Sequence, residues 1–590
     1  MKLPSILHTK KYQRQLIAFG GLNTTNNYKE GELADCSGIS HADFPSISQS
    51  FKLQKDSFYE SAQGAICANE ECVASNGALY YGKTKVGELS DGEKQLVVMG
   101  KNIIVFPDKL CYNIETQKVD SLEASYTLKD TQITFASNSI SVPSEKYIIT
   151  SSVEEMDKEE REKLEVYSSA EIKDWKIELG ECSALSVEDI TPGTIFKDKC
   201  SDNQYRKVLS VEKSNGRFIV KHNLISVVNE HENMFLGFRV GDGIKIEGAG
   251  MEQNNKTLIV RAVRNCTIVF DDGALIETIE AGEIKIKREI PDFTCACVHE
   301  NRLWGCAGNT IYASKLGDPY NFNVYKMLST DSYAIESNSS GDFNACISYG
   351  TYCIFFKENS IYKIYGNRPS NFQLVESLGG GMRKDQKNSI VNVGAEIFYC
   401  GSGGIFSFYG GMPRSISEKI DNIPMKNPSG GSDGKCYYIA ADVQGERKLF
   451  AYDIEKGLWS VCGKSDAQSF AYYNGKLHIC AHSGFYTLSE ERDLENEWYI
   501  TLHPFDEKYH KTKNYNRLWV ICELEENAWI KVETKKDDEN WTQAAVRYSK
   551  KKEYLNIPLT ICKCHSLSLR ISGKGKCKLN QIVREFSVGG

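Results

Sequence analysis

The stretch NRLWGCAGNTIYASKLGDPYN, residues 301–321, holds two short apolar strands, around Leu303–Trp304 and Thr310–Ala313, divided by a Gly/Asn turn. It then enters the polar turn Gly317-Asp318-Pro319, which no helix interior carries, because proline lacks an amide hydrogen and clashes with the preceding turn. The same strand–turn–strand grammar returns downstream, with tyrosines near the ends of the hairpins. Tyr312, Tyr365, Tyr409, Tyr452 and Tyr486 are separated by 53, 44, 43 and 34 residues. Repeats of about 40–50 residues mark β-propellers, in which each four-stranded blade covers its neighbour's apolar face.

Outward from this stretch the hairpins are plain: CISYGTYCIFFKENSIYKIYG, AEIFYCGSGGIFSFYGG, KCYYIAADVQGERKLFAYDIEKGLWS and FAYYNGKLHICAHSGFYTLS. The Gly457-Leu458-Trp459 run suits a wedge between sheets. Upstream, Gly64–Val73 pairs with Ala78–Gly82, and Gln95–Val98 with Ile103–Phe106 and Leu110–Ile114. The expected fold is mainly β, a propeller of six or seven blades with a small inserted barrel and a C-terminal β-sandwich. Residues 1–114 read as an N-terminal arm and first blades, and 115–290 as a β-rich insertion with the barrel at about 236–289. The remaining blades fill 291–495 and the sandwich fills 496–590, with its last strand, Gln581–Val588, paired rather than free. The strand Gln15–Phe19 is expected to close the ring against the last blade. Ser151–Tyr167, dense in charge of both signs, reads as a short exposed helix or a mobile segment.

A chain of 590 residues is too long for one core. Hydrophobic residues at 41% and charged residues at 25% are ordinary for a soluble globular protein. Aromatics at 11%, with 47 glycines, favour strands and tight turns. No apolar run approaches the roughly 18 residues of a membrane span, so no membrane insertion is expected. The start MKLPSILHTKKYQRQ lacks a secretory apolar core, which predicts synthesis and folding in a cytoplasm. Net charge is −7 without a long basic tract, which argues against sequence-specific nucleic-acid binding. The 20 cysteines include no CxxC, and most sit inside apolar strands as buried, reduced thiols. Cys562 and Cys564 share one strand face and His565 the other, a poor metal set.

Propellers also carry enzymes, so the catalytic patterns matter. The chain has no Gly-x-Ser-x-Gly elbow, no HExxH and no repeated Ser-x-Asp-x-Gly-x-x-Trp turn. A retaining glycosidase needs two carboxylates about 5–5.5 Å apart, and no pair stands out. Asp318 reads as the turn residue before Pro319. His478 and His482 lie on one strand face but read as a core and turn pair. Gly379-Gly380-Gly381, with no Lys-Ser/Thr after it, reads as a flexible connection rather than a phosphate loop. Accordingly no catalytic residue, cofactor or metal is assigned. Asn255-Lys256-Thr257 matches a glycosylation sequon by chance.

The block NRLWGCAGNTIYASKLGDPYNFN, followed by STDSYAI, GDFNACISY, FFKENSIYKIYG and PSNFQ, resembles β-propeller structural proteins of bacteriophage tails. These are the nozzle, or tail tubular protein B, proteins of short-tailed phages and the related packaged-DNA stabilisation proteins. The arm NNYKEGELADCSGISHADFPSIS is similar to that family's opening. The resemblance is sharp over Asn301–Gln373 and spans most of the chain, although residues 115–228 match nothing in it. It implies a non-enzymatic virion protein in the tail, assembled in the host cytoplasm. Its copies would form a ring, a homohexamer by analogy, between portal or adaptor and other tail proteins. The ring would retain genomic DNA and pass it non-specifically at ejection. Arg368, Arg383, Lys384, Lys387 and Arg414, in or beside turns of consecutive blades, are candidates for lining that channel or for inter-subunit ion pairs. A receptor- or glycan-binding tail-tip or hub protein is the alternative, with a tail-associated glycosidase as a third class.

Overall fold

The computed structural model describes residues 10–128 and 237–588, except 265–266, 271–274, 277, 526 and 549–552. Between 129 and 236 it describes six strand segments and Phe235. The chain is mainly β and is divided into many small antiparallel sheets. Helical segments among the described residues are the 3-10 turns Glu252–Asn254, Pro369–Asn371 and Lys384–Ser389.

Seven of the sheets have four strands. Sheet one spans 64–88, sheet two 95–121, sheet three 295–336, sheet four 345–378, sheet five 391–415 and sheet six 426–464. Each is a meander of four consecutive strands. Sheet seven takes three strands from 467–492 and borrows its fourth, Phe51–Asp56, from near the start of the chain. Continuous apolar runs such as YCIFF at Tyr352–Phe356 suit strands covered on both faces. The repeat tyrosines mark successive sheets: Tyr312, Tyr365, Tyr452 and Tyr486 stand on third strands, and Tyr409 directly follows one.

Every consecutive pair of sheets shares a core. Leu79 and Tyr112 pack between sheets one and two, Phe106 and Leu303 between two and three, and Trp304 and Phe355 between three and four. Phe356 meets Tyr399 at 5.1 Å between ring centres, and Phe398 meets Tyr437 at 5.5 Å, joining sheets four to five and five to six. Tyr438 and Ile479 join six to seven, and Phe485 packs with Val73 to join seven back to one. The circuit is closed. Trp459 acts as the expected wedge: it is buried, and its Nε1–H donates to the Ile416 carbonyl at 2.8 Å. Sheet six's first strand carries Gly430 and Gly431 because a Cβ at either would strike Ser389 O or the Phe470 ring.

The segment from Ala124 to Arg288 is inserted between sheets two and three. Ala124–Thr127, Lys285–Arg288, Gly243–Glu247, Thr257–Arg264 and Thr267–Phe270 form a five-stranded sheet, and Gln132–Phe135 pairs with Thr278–Ala281. They enclose a separate core that includes Phe238, Ile244, Ile246 and Val260. The strands read at 236–289 are present, but two partners come from upstream of that range. Strand segments between 165 and 224 build a further five-stranded sheet. Of Ser151–Tyr167, only the Glu165–Val166 strand lies within the described residues, so the expected helix falls outside them.

The two chain ends fold together. A six-stranded and a five-stranded sheet, built largely from 498–588, contribute to one large core. Lys11–Leu16 and Ile47–Gln49 both pair with the final strand, Cys577–Val588, and Leu33–Ser37 pairs with Trp498–Leu502. Two expectations are therefore corrected. The first strand does not close the ring, since Phe51–Asp56 does. Residues 10–50 are not an extended arm apart from the other domains, because Leu33, Cys36, Ile39 and Ile47 are buried in the terminal core.

Buried charge ties these ends to each other and to the ring. Arg584, fully buried, pairs with Glu507 at 2.7 Å and with Glu30 at 2.6 Å. Glu32 accepts from Asn23 Nδ2 at 2.7 Å, from the Lys29 amide at 2.8 Å and from Lys419 Nζ, in the sheet five to six connection, at 2.8 Å. Burial pushes the Glu32 carboxyl up, but Lys419 and these hydrogen bonds outweigh it and hold the carboxyl below the ordinary value of 4.5. The folded state therefore binds its proton less readily than the unfolded chain. Stability from Glu32 is full above pH 4.5 and is lost as pH falls through the lower folded value. Glu32→Gln should cost about 1 kcal/mol at pH 7, since Lys419 is partly exposed. In urea titrations run from pH 7 to pH 3, the gap to the parent chain should close; a gap constant with pH would refute the account.

Candidate functional site

The first strands of the seven sheets adjoin one another round the circuit and read GAICA, QLVVM, CACVH, ACISY, VNV, KNPSGGS and AQSFAYY. They hold no Asp, Glu or Arg and a single lysine, Lys426. Short polar stitches link them instead. Gln95 donates to the Ala296 carbonyl at 2.8 Å and accepts from its amide at 3.0 Å. His299 Nδ1 lies 2.9 Å from Ser348 Oγ, and Asn392 Nδ2 donates to the Ser348 carbonyl at 3.4 Å. The strands at the centre of the circuit thus carry no carboxylate and little charge, with Lys426 and His299 as their basic side chains. Thiols fill its flank: Cys297 and Cys353 approach to 3.4 Å between sulfurs. Every described cysteine is free.

The outer rim differs. In sheet three the loop from Ser314 to Ser332 is braced by Arg302, which is fully buried and hydrogen-bonds to backbone carbonyls. Its guanidinium donates to the carbonyls of Ser314 at 2.7 Å, Ser329 at 2.7 Å and Asp331. Asp331 in turn accepts from the amides of Lys326 and Leu328. Asp318 behaves as a turn residue, accepting from the Tyr320 amide at 3.0 Å and from Asn321 Nδ2 at 2.8 Å. This scaffold holds Tyr325, Met327 and Leu328 out in solvent, Met327 completely. The sequence reading did not single out these three. Their signal was an apolar run, Val324–Leu328, set among turn residues rather than in a strand.

Further apolar side chains are exposed on sheets four and five: Tyr365, Val375 and Leu378, spread along the outer strands of one, and Tyr409 and Met412 in the last turn of the other. This region is built, not frayed. Lys363 Nζ donates to the Gly410 carbonyl at 2.8 Å, and the Tyr365 ring sits 4.8 Å from Tyr352. The Gly379-Gly380-Gly381 connection is packed rather than flexible, because Tyr399 Oη donates to the Gly380 carbonyl and Gly381 lies against the Glu358 backbone.

The five basic candidates do not converge on one point. Arg368 caps the turn after Tyr365, where its amide donates to Asn371 Oδ1 at 3.1 Å. Arg383 pairs with Asp385 at 3.2 Å, and Lys384 is exposed beside it, five to six residues past Leu378. Arg414 lies on the outermost strand of sheet five, two residues past Met412. These four lie within a few residues, in sequence, of Tyr365, Leu378 or Met412. Lys387 is set apart, its Nζ donating to the Thr294 carbonyl at the start of sheet three at 3.0 Å.

The remaining sequence candidates separate. His478 is stacked on Tyr473 at 3.9 Å and buried, whereas His482 is exposed. Cys562 and Cys564 are buried in the terminal core while His565 is exposed. Among the described residues no group of three or more His, Cys, Asp or Glu is arranged to hold a metal ion. No described helix is long and apolar enough to cross a membrane.

The chain matches no protein-family profile and no curated protein. Solved structures similar to it include an exo-β-1,3-galactanase from Phanerochaete chrysosporium, at 9% identity over 50% of this chain and 96% of that one, with TM-score 0.21. PorZ, a surface component of the type-IX secretion system of Porphyromonas gingivalis, is 10% identical over 84% of this chain and 70% of its own, with TM-score 0.24. The extracellular domain of a hybrid two-component system from B. thetaiotaomicron is 9% identical over 93% and 99%, with TM-score 0.18. Scores this low carry no argument about fold or activity.

Arg302→Met would leave three buried carbonyls without their donor while keeping the volume. It should cost about 3 kcal/mol and free the 314–332 loop, read as new proteolytic cleavage near Met327. An unchanged melting midpoint with no new cleavage would overturn the bracing role.

Proposed function

We propose that the seven sheets form a seven-bladed β-propeller, with the insertion as a small barrel and the paired termini as a β-sandwich. On this reading the protein is a structural component of a phage tail, nozzle-like, and its copies assemble into a ring around the path of the genome. The observation that carries it is the pair of separate, rigidly built apolar surfaces: the Arg302-braced tip at Tyr325–Leu328 and the side chains exposed on sheets four and five. Monomeric proteins rarely expose such patches unless they bind something. A head-to-tail contact needs two different surfaces on each copy, and it closes into a ring when the rotation allows.

The basic residues fit the same reading. Arg368, Arg383, Lys384 and Arg414 stand close in sequence to exposed apolar side chains, as polar residues accompany an interface centre, which favours the inter-subunit role over the channel role for them. DNA would pass between copies and not along the uncharged axis of a single propeller. A wall with little positive charge lets phosphate slide, so the chain's net charge of −7 suits transit. No cofactor enters this account. Partners are copies of the chain, the portal or adaptor and neighbouring tail proteins, and the location is the tail of the virion.

Mass photometry of the purified chain should show a ring-sized oligomer. Met327→Asp and Leu378→Asp should each shift it to monomer while leaving the melting curve unchanged, because both side chains are in water in the single copy. Gold-tagged antibody on intact particles of the encoding phage should mark one level of the tail. Gold on lateral appendages would favour the receptor-binding alternative, and unlabelled particles would refute both readings.

A further inference from the structure

A cleft of about 450 Å³ opens where the ring meets the paired termini. Its floor is the outer end of the core between sheets six and seven, with Tyr438, Leu449 and Leu488 among the lining residues. Its walls come from the 37–53 segment, which crosses from the terminal sheets to sheet seven, and from 493–497, which returns. The cleft therefore exists only because both ends of the chain fold together.

Its polar groups are unusually idle. Ser37, Ser50 and Ser460 line the cleft, and their hydroxyls take no part in hydrogen bonds among the described residues. His41, almost fully buried in the wall, places Nε2 2.9 Å from the Gly20 carbonyl. A carbonyl accepts only, so Nε2 carries the proton and Nδ1 is left as an acceptor without a partner. Burial lowers the affinity of this imidazole for a second proton, and Nδ1 itself is closed off behind the wall rather than open to the cleft. Buried polar groups are paired in folded proteins, with ordered water or a ligand where the chain supplies nothing. Around the rim, Asp453, Asp493, Glu495 and Glu497 outnumber Lys52 and Lys464.

We propose that this cleft binds a neutral saccharide unit. Hydroxyls that both donate and accept, set over an apolar floor, match a sugar ring, whose edge is all hydroxyl and whose faces are C–H. The acidic rim disfavours anionic sugars. The site lies away from both apolar surfaces assigned to assembly and does not depend on that assignment, so either stands if the other fails.

Saturation-transfer NMR on the full chain tests it, with glucose, galactose, N-acetylglucosamine and glucuronate as probes at about 10 mM, a concentration suited to weak millimolar binding. At least one neutral probe should receive saturation, and glucuronate should receive little. Ser460→Ala, which removes one hydroxyl without adding bulk, should weaken that binding three- to ten-fold, and Ser460→Leu, which fills the cleft, should abolish it. Ser37→Leu provides the second filling variant if Ser460→Leu fails to fold, as judged by its melting curve. Absence of transfer to every neutral probe would overturn the proposal. So would transfer that persists undiminished in a folded, cleft-filled variant, or preference for glucuronate.

Discussion

A four-stranded sheet of twenty-odd residues cannot stand in water, because both of its faces are apolar and it has nothing of its own to cover them. That constraint organises this molecule. Sheets one to seven are each buried on two sides, so each depends on two neighbours, and the arrangement keeps free ends until the seventh meets the first. Phe485 and Val73, far apart in sequence, complete the circuit, and Phe51–Asp56 fastens it through backbone hydrogen bonds. An open row of such sheets would present two apolar faces and unpaired edges, which is a recipe for aggregation.

Polar interactions are placed where the repeats give out. Within the ring the sheets meet mainly through aromatic and aliphatic contacts, with short neutral stitches such as Gln95 on Ala296 between their first strands. At the loops and junctions buried cations take over: Arg302 under the sheet three loop, Arg288 with Asp242 at the root of the insertion, and Arg584 with Glu507 and Glu30 where the termini meet. Guanidinium groups suit these positions because several donors in one plane can satisfy carbonyls from different segments at once.

Much of this was legible in the chain. Turn residues and apolar runs located two or three strands of each sheet between 295 and 492, and the tyrosine spacing tracked the repeat because those residues stand on or directly after the third strand of successive sheets. The small inserted sheet and the terminal strands were equally clear, since period-two alternation is local. What escaped was pairing over long separations. Nothing in FKLQKD at Phe51–Asp56 marks it as the partner of Gly484–Arg492, and LADCS at Leu33–Ser37 resembles an irregular arm until Trp498–Leu502 lies beside it. The site fared likewise. Basic residues beside turns were visible, but the apolar side chains near them in sequence came into view only with exposure, because a leucine on a rim and a leucine in a core are the same letter.

The interleaving of the ends also sets an order of events during synthesis. Residues 10–56 leave the ribosome first, yet Phe51–Asp56 finds its sheet only after Arg492 has been made, and Lys11–Leu16 finds its partner only with Cys577–Val588. The opening segment must wait, unpaired, while more than four hundred residues are added behind it. A polar, charge-rich composition is what such a waiting strand requires, and KYQRQL and FKLQKD have it. Cys577–Val588 thereby acts as the latch, so a chain cut short before it cannot complete this pairing.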